Sequence, residues 1–331
     1  MEKILSIIVP AYNVEKYIEK CLDSFTGLKA PEEIEVIIVN DGSKDHTEEI
    51  AKRYCRNYPK LFSLYTKENG GHGSAINYGM KYVKGRYFRV LDSDDWLDAG
   101  ELEKFLSFLK DTDADVVASH YKCIQDETYA VLKECRCTRN ASLYGKTVAF
   151  DDVAKEIELI RIHSFTVKTD VYKKNQIQID SFRFYVDFEY IMFPVPYIKT
   201  VAFYDGALYM YRLGRNGQSV SITSMQKNRE NHRKVIDRLL ACYDAHEDMS
   251  EEKRAYMNMG ISKIVENQFQ IFISMGIKKG IFKETKQFDT MLKENYPGIY
   301  QAVQKKSIWM LRRTGYLILP LAFFIYKIAK R

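Results

Sequence analysis

An α/β protein built on a mostly parallel sheet with flanking helices, followed by a separate run of helices, is the fold class this chain predicts. Two observations carry the prediction. Across the first 120 residues, short β-rich apolar runs alternate with helical spacing, and the runs are uninterrupted enough to be buried on both faces. From about residue 225 the strand-like runs stop and long helical patterns take over.

The elements follow in order. Ile4–Val9 is a continuous apolar strand closed by Pro10. Val14–Leu28 has apolar positions at Val14, Tyr17, Ile18, Cys21, Leu22 and Phe25, the spacing of one helix face. Ile34–Val39 predicts a second strand and ends at Asn40-Asp41-Gly42-Ser43, a turn and helix-start signal. Leu61–Tyr65 predicts a third strand and Gly73–Val83 a helix behind a glycine-rich turn. Tyr87–Leu91 is a fourth strand that runs into Asp92-Ser93-Asp94-Asp95. Beyond Asp115 the pattern loosens into short strands at Val116–Tyr121 and Thr200–Tyr211 around a helix near Asp187–Pro194. No linker rich in Pro, Gly or Ser intervenes, so residues 1–221 are expected to form one domain. Residues 222–300, with helical patterns at Lys227–Tyr243 and Glu251–Met275, read as a helical appendage, and 301–331 as a basic, apolar tail.

Charge and cysteine usage exclude several classes. The 331 residues carry 50 Lys and Arg against 44 Asp and Glu. Seven of those basic residues (Lys305, Lys306, Arg312, Arg313, Lys327, Lys330, Arg331) lie beyond residue 300 with no acid among them, leaving 43 basic against 44 acidic in the rest. A nearly neutral body with a basic tail argues against nucleic-acid binding. Six cysteines without a CxxC pair make neither a disulfide scaffold nor a zinc site, and fit reduced thiols. The amino terminus, MEKILSIIVPAYN, reads as a strand and not as a signal peptide, so the body is expected to face the cytoplasm.

In open parallel sheets, ligands gather at the carboxyl ends of the strands. That rule points at Pro10–Asn13, Asp41 and Asp92–Asp95. Asp92 and Asp94, two residues apart behind a buried strand, are costly unless a cation or hydrogen-bond donors meet them. Hard cations such as Mg²⁺ or Mn²⁺ favour such oxygens and bridge carboxylate to diphosphate. The competing role is to cap the helix that starts near Ala99, which Asp98 serves equally well.

The acidic triplet does not stand alone. Pro10-Ala11-Tyr12-Asn13, Val39-Asn40-Asp41-Gly42-Ser43, Glu68-Asn69-Gly70-Gly71-His72-Gly73-Ser74-Ala75-Ile76-Asn77-Tyr78-Gly79 and Leu91-Asp92-Ser93-Asp94-Asp95 occur in that order. Together they resemble the family 2 glycosyltransferases, enzymes of GT-A fold, densely over residues 4–96 and more loosely to about Ser221. The resemblance implies that Asp41 reads the base of a nucleotide, against the alternative of an Asx-turn or helix cap. It implies that Asn69–Gly73 approaches the nucleotide closely, that Asn77 belongs to the donor site, and that Asp92 and Ser93 stand near the ribose. Asp94 becomes the metal ligand, with Asp92 beside it. His72 is either a donor contact or a structural histidine. Ile76 stands where an arginine is frequent, which removes a basic nucleotide contact.

An inverting transfer also needs a base for the acceptor hydroxyl. The family's acidic pair matches Tyr185-Val186-Asp187-Phe188-Glu189-Tyr190, with Val186 replacing the first acid. In a helix, Asp187 and Glu189 lie roughly 200° apart, so one alone serves. Asp187 aligns with the second acid and is expected to be the base; its alternative is a helix cap, and Glu189 is expected on a solvated face. Leu208-Tyr209-Met210-Tyr211-Arg212, followed by Gln218-Ser219-Val220-Ser221, resembles the family's tyrosine-rich strand and loop. Arg212 is expected either to neutralise the departing diphosphate or to form a surface ion pair.

Gly315–Tyr326 is a twelve-residue apolar stretch, short of the roughly 20 residues that span a bilayer. Basic and aromatic flanks suit a segment lying in the interface of an anionic leaflet, so 307–331 is expected to touch a membrane surface. The alternative is a terminal helix docked on protein. The chain is thus expected to be a cytoplasmic enzyme, peripheral to the inner face of the membrane. It would move a sugar from a nucleotide diphosphate, UDP above all, to a hydroxyl of a cell-surface glycan or lipid-linked acceptor, with Mn²⁺ or Mg²⁺. The rival is a non-catalytic nucleotide-sugar-binding scaffold of a polysaccharide assembly complex.

Overall fold

In the computed structural model, residues 3–182, 184–214 and 222–329 are described. The Gln218–Ser221 segment, Lys330 and Arg331 lie outside them. The apolar runs become strands β1 (Leu5–Ala11), β2 (Ile34–Asn40), β3 (Phe62–Thr66) and β4 (Tyr87–Val90), with helices α1 (Ile18–Asp23), α2 (Thr47–Asn57) and α3 (His72–Met80) between them. Next come β5 (Trp96–Leu97), α4 (Ala99–Asp111), β6 (Val116–Gln125), β7 (Val131–Cys135), β8 (Thr147–Ala149), α5 (Phe150–Val153), β9 (Phe165–Lys168), α6 (Thr169–Lys174), α7 (Asp187–Met192) and β10 (Thr200–Leu213).

Strands β1 to β4 are mutually parallel in the order β3-β2-β1-β4. All seven residues of β1 are buried, as expected of a strand covered on both faces. Beyond β4 the sheet turns mixed: β9 runs antiparallel to both β4 and β6, while β6 and β10 are parallel. Register fixes where the site lies. Ala11 pairs with Asn40 and Asn40 with Thr66, while Ile8 pairs with Val90. The residues just past each strand, Tyr12, Asp41, Lys67 and Asp92, therefore emerge along one edge.

The helix expected over Val14–Leu28 is shorter than its periodicity. The amide of Val14 donates to Thr47 Oγ1 at 2.9 Å and that of Glu15 to Asp45 at 3.0 Å, so side chains at the start of α2 hold the approach to α1. The apolar stripe is still buried, with Ile18, Cys21, Leu22 and Phe25 fully inaccessible. At α4, Asp98 is the cap: its carboxylate accepts from the Glu101 amide at 3.0 Å. That relieves Asp92 and Asp94 of the capping role.

The chain divides into two compact units, Met1–Asn216 and Gly217–Arg331. The second contains α8 (Ile222–Lys227), α9 (Arg229–Asp244), α10 (Glu251–Ser274), α11 (Ile281–Asn295), α12 (Pro297–Ala302), α13 (Lys306–Arg313) and α14 (Leu319–Ala329). Helix α10 runs through its centre, with Ile261, Ile264, Val265 and Phe269 fully buried. The tail docks on this unit: Arg312 donates to Asp289 from both Nε and Nη2, lies 3.6 Å from the Tyr300 ring centroid, and Asp289 also accepts from the Tyr316 hydroxyl. Arg312 is thereby corrected from a membrane-facing charge to a half-buried tether. The opposite side of α14 carries Leu321, Phe324, Ile325 and Ile328, each more than half exposed.

Candidate active site

Asp41 sits immediately after β2 and is almost fully buried. Its carboxylate accepts from the Gly70 amide at 2.9 Å, the Gly71 amide at 2.7 Å and Lys67 Nζ at 2.6 Å. The local side-chain-to-backbone bond at this turn belongs to its neighbour: Asn40 Oδ1 accepts from the Ser43 amide at 3.1 Å. Asp41 instead organises the Gly70-Gly71 loop and keeps a half-buried lysine beside it. Gly42, at φ +75°, is needed here, because a Cβ would stand 3.0 Å from the Asn69 amide nitrogen. Across the edge, Pro10 and Ala11 end β1, and Tyr12 follows with 48% of its surface exposed. Asn13, in the left-handed region at φ 52°, accepts from the Lys44 amide at 2.8 Å and donates its own amide to Ser43 Oγ at 3.0 Å.

The acidic run after β4 divides into inner and outer groups. Asp95 is buried and accepts from the Tyr209 hydroxyl at 2.6 Å and the Arg212 amide at 2.7 Å, tying the turn to β10. Burial, with the charges of Asp94 and Asp92 beside it, pushes its carboxyl well above the ordinary range. Asp92 and Asp94 are half-buried, and Ser93 between them is buried. Asp92 Oδ1 meets His72 Nε2 at 2.9 Å. Burial opposes protonation of His72, yet the hydrogen bond to Asp92 and the fields of Asp92, Asp187 and Asp94 hold its pKa above the usual value. Asp187, the first residue of α7, faces the same group: burial raises its pKa, the His72 charge opposes the rise, and Asp92 adds to it. Four titratable groups from three elements thus share one field at the strand ends.

The model of the Glycosyl transferase family 2 matches residues 6–182, more than half of the chain. This chain belongs to the family 2 glycosyltransferases. Membership of this family makes it an enzyme of the glycosyltransferase class. Among family members, it is 31% identical over 233 residues to GgaB of Bacillus subtilis, a minor teichoic acid biosynthesis protein, covering 69% of this chain and 25% of that one. It is 27% identical over 218 residues to the glycosyltransferase EpsJ of Bacillus subtilis, covering 65% of this chain and 63% of EpsJ. The chain thus spans less than two thirds of either relative. Among solved structures, TarS 1–349 of S. aureus in complex with UDP-GlcNAc superposes with a TM-score of 0.64 at 20% identity, covering 98% of this chain and 92% of that one. The mannosyltransferase PcManGT of Pyrobaculum calidifontis, with GDP-Man and Mn²⁺, gives 0.53 at 13% identity, covering 92% and 85%. These likenesses establish the GT-A fold.

Against the family's pattern, several expected donor contacts here have work within the protein. The Asn77 side chain donates to the Ile179 carbonyl at 2.7 Å and accepts from the Ile179 amide at 3.0 Å, clamping α3 to the chain before α7. At Gly73 a Cβ would stand 2.2 Å from the Asp180 carbonyl oxygen, so its missing side chain serves that close packing. Arg212, 2% exposed, donates to the Asp94 carbonyl and to Asp126 and lies within 5.5 Å of the Tyr17, Trp96 and Tyr129 ring centroids. It is a brace behind the acidic turn, in an aromatic box. Glu189 corrects the expectation of a solvated face: it is fully buried and accepts from the Asp180 amide at 2.7 Å.

The sequence singles out neither Lys67 nor His163, and it names Asp95 and Tyr209 only within longer segments. Lys67 could have been found by the strand-end rule, since it follows β3 directly. His163 has no such signal. Its ring packs 4.1 Å from the Tyr211 centroid and 5.0 Å from that of Tyr209, and burial lowers its pKa to about 4. A cavity of about 780 Å³ flanks α3, lined by Lys67, Ser74, Asn77, Lys81 and Lys173 among others. It adjoins the Asp41 loop through Lys67, but none of Asp92, Asp94 and Asp187 lines it. The candidate residues lie along the open strand-end edge instead.

Metal fit can be judged from the donor set. Asp95 is committed to Tyr209 and Arg212, and no group of three or more metal-ligating side chains converges among the described residues. The half-buried Asp92, hydrogen-bonded to His72, and Asp94 offer hard carboxylate oxygens, which suits a divalent cation that completes its coordination with diphosphate and water.

Proposed function

We propose that this glycosyltransferase moves a sugar from a UDP-sugar to a hydroxyl of a cell-surface glycan or lipid-linked acceptor, with inversion at the anomeric carbon. The observation that carries the proposal is the shared field of His72, Asp92, Asp94 and Asp187 beside the loop held by Asp41. UDP-GlcNAc and UDP in TarS, and the teichoic acid role of GgaB, support the donor and acceptor classes.

In the proposed mechanism, Asp41 and its loop, with Pro10–Asn13 and Asn69, frame the nucleoside, and Asp92 and Ser93 lie near the ribose. Asp94, with Asp92, would hold Mn²⁺ or Mg²⁺, which when bound draws charge from the leaving diphosphate. Asp187 accepts the proton of the acceptor hydroxyl as its oxygen bonds to the anomeric carbon. The bond from that carbon to the phosphate oxygen breaks, and the electron pair leaves with UDP. A pKa raised by burial makes Asp187 a stronger base than an exposed aspartate.

Location is part of the proposal. No helix among the described residues is long and apolar enough to cross a membrane. The exposed apolar side of α14, with Lys327 alongside and Trp309 and Arg313 exposed on α13, fits a peripheral contact at the cytoplasmic face of an anionic membrane.

Thermal shift against UDP, GDP, CMP and dTDP, each with and without Mn²⁺, tests the donor class. A ligand that binds only the native state stabilises it by about 2.7 kcal/mol at a hundred times its Kd. A rise specific to UDP with Mn²⁺ is expected. A response to GDP or dTDP in its place overturns the UDP assignment.

A further inference from the structure

The chain before α7 combines a backbone held at Ile179, Asp180 and Phe182 with exposed aromatic rings. Ile179 is held through both backbone polar groups by Asn77, the Asp180 amide by Glu189, and the Phe182 amide by the Gly70 carbonyl at 2.5 Å. The Asp180 carbonyl is packed over Gly73. This backbone is thereby bolted to the loop that Asp41 organises. Yet Phe182 leaves 70% of its surface exposed and Phe184 46%. Phe182 and Tyr185 also sit in the left-handed region, at φ 56° and 70°, where bulky L-residues are rare. Such strain persists where surrounding structure imposes it, and it concentrates at ligand sites. Asp187 begins α7 two residues after Tyr185.

We infer that Phe182 and Phe184 form a stacking platform for a pyranose ring of the acceptor, beside the base. The inference rests on the proposed role of Asp187. A pyranose offers a flat C–H face rimmed by hydroxyls. The C–H face packs on an aromatic ring, and a rim hydroxyl is left to meet the carboxylate. The Phe184 and Tyr185 centroids are 6.2 Å apart with their planes inclined at 48°, so the Phe184 face is not covered by stacking on Tyr185. Aromatic rings on a fixed backbone bring contact area at little entropic cost. An open-chain polyol lacks the flat C–H face and gains nothing comparable. The platform therefore selects a glycan end over a polyol chain as the acceptor.

The test uses the full chain saturated with UDP and follows methyl β-glucoside, methyl β-galactoside and methyl β-N-acetylglucosaminide by saturation-transfer NMR and titration, with sorbitol as the open-chain control. The account expects saturation of ring C–H protons and no comparable signal from sorbitol. Phe182→Ala and Phe184→Ala should each weaken pyranoside binding about three- to tenfold, while Phe184→Tyr retains it. UDP binding and melting temperature should stay unchanged in every variant. Absent pyranoside binding, equal binding of sorbitol, or unchanged affinity in both alanine variants overturns the platform. Loss of UDP binding by the unsubstituted protein would instead contradict the donor assignment, so the two failures are distinguishable.

Discussion

At Gly73 and Asn77 the same residues answer to two explanations, and the distances give each a structural role. Both match a family motif beside a nucleotide, yet both are used to hold the chain at Ile179–Asp180 against α3. Gly73→Ala puts a methyl group against a backbone carbonyl that cannot swing away like a side chain. The expected cost is about 1–3 kcal/mol of stability, read as a lower urea midpoint, together with weaker transfer because Asp180 is bonded to α7 through Glu189. Full activity and an unchanged midpoint would show that the contact yields freely. Glu189 shows why sequence reasoning missed its environment. Two-residue spacing from Asp187 placed it on the opposite side of the helix, and an acid there was read as solvated. In α7, however, Phe188, Tyr190, Ile191 and Met192 are apolar and buried along with Glu189. A helix apolar nearly all round is buried all round, and that signal was available.

Among the elements, the four parallel strands were legible because a strand buried on both faces must be an unbroken apolar run, and Ile4–Val9 and Ile34–Val39 are such runs. Strand β9 was not. Its four residues, Phe165–Lys168, have no periodicity of their own and gain their form by pairing with β4 and β6, partners remote in sequence. Helix α1 was over-extended for the converse reason: the apolar stripe continues past Phe25, but tertiary hydrogen bonds hold the Val14 and Glu15 amides. In the tail, the apolar stretch was legible and the Arg312–Asp289 tether was not, since that pairing spans separate helices. Packing against α10 covers one side of α14 and leaves the other as a stripe at Leu321, Phe324, Ile325 and Ile328, spaced by three, one and three residues. Leu321→Glu with Ile325→Glu should abolish sedimentation with phosphatidylglycerol vesicles and leave the melting temperature unchanged, because both sites are exposed. Sedimentation unaffected by the two charges would rule the stripe out as a lipid contact.

For the molecule as a whole, the site is an assembly of strand ends. The register of β1, β2 and β3 sets Tyr12, Asp41 and Lys67 along one edge, β4 delivers Asp92 and Asp94, and α7 supplies Asp187 from nearly a hundred residues further on. The first set was readable from local patterns. Arg212 was readable only as a charged residue in a tyrosine-rich strand, because its partner Asp126 and its aromatic box come from three other segments. Asp187 carries the central claim, and substituting it separates chemistry from binding. In Asp187→Asn the side chain keeps its shape and loses its basicity. UDP affinity, measured by titration calorimetry, should match that of the unsubstituted protein, while sugar transfer falls at least about a hundredfold. Transfer retained at the original rate, or UDP binding lost along with it, would contradict Asp187 as the base.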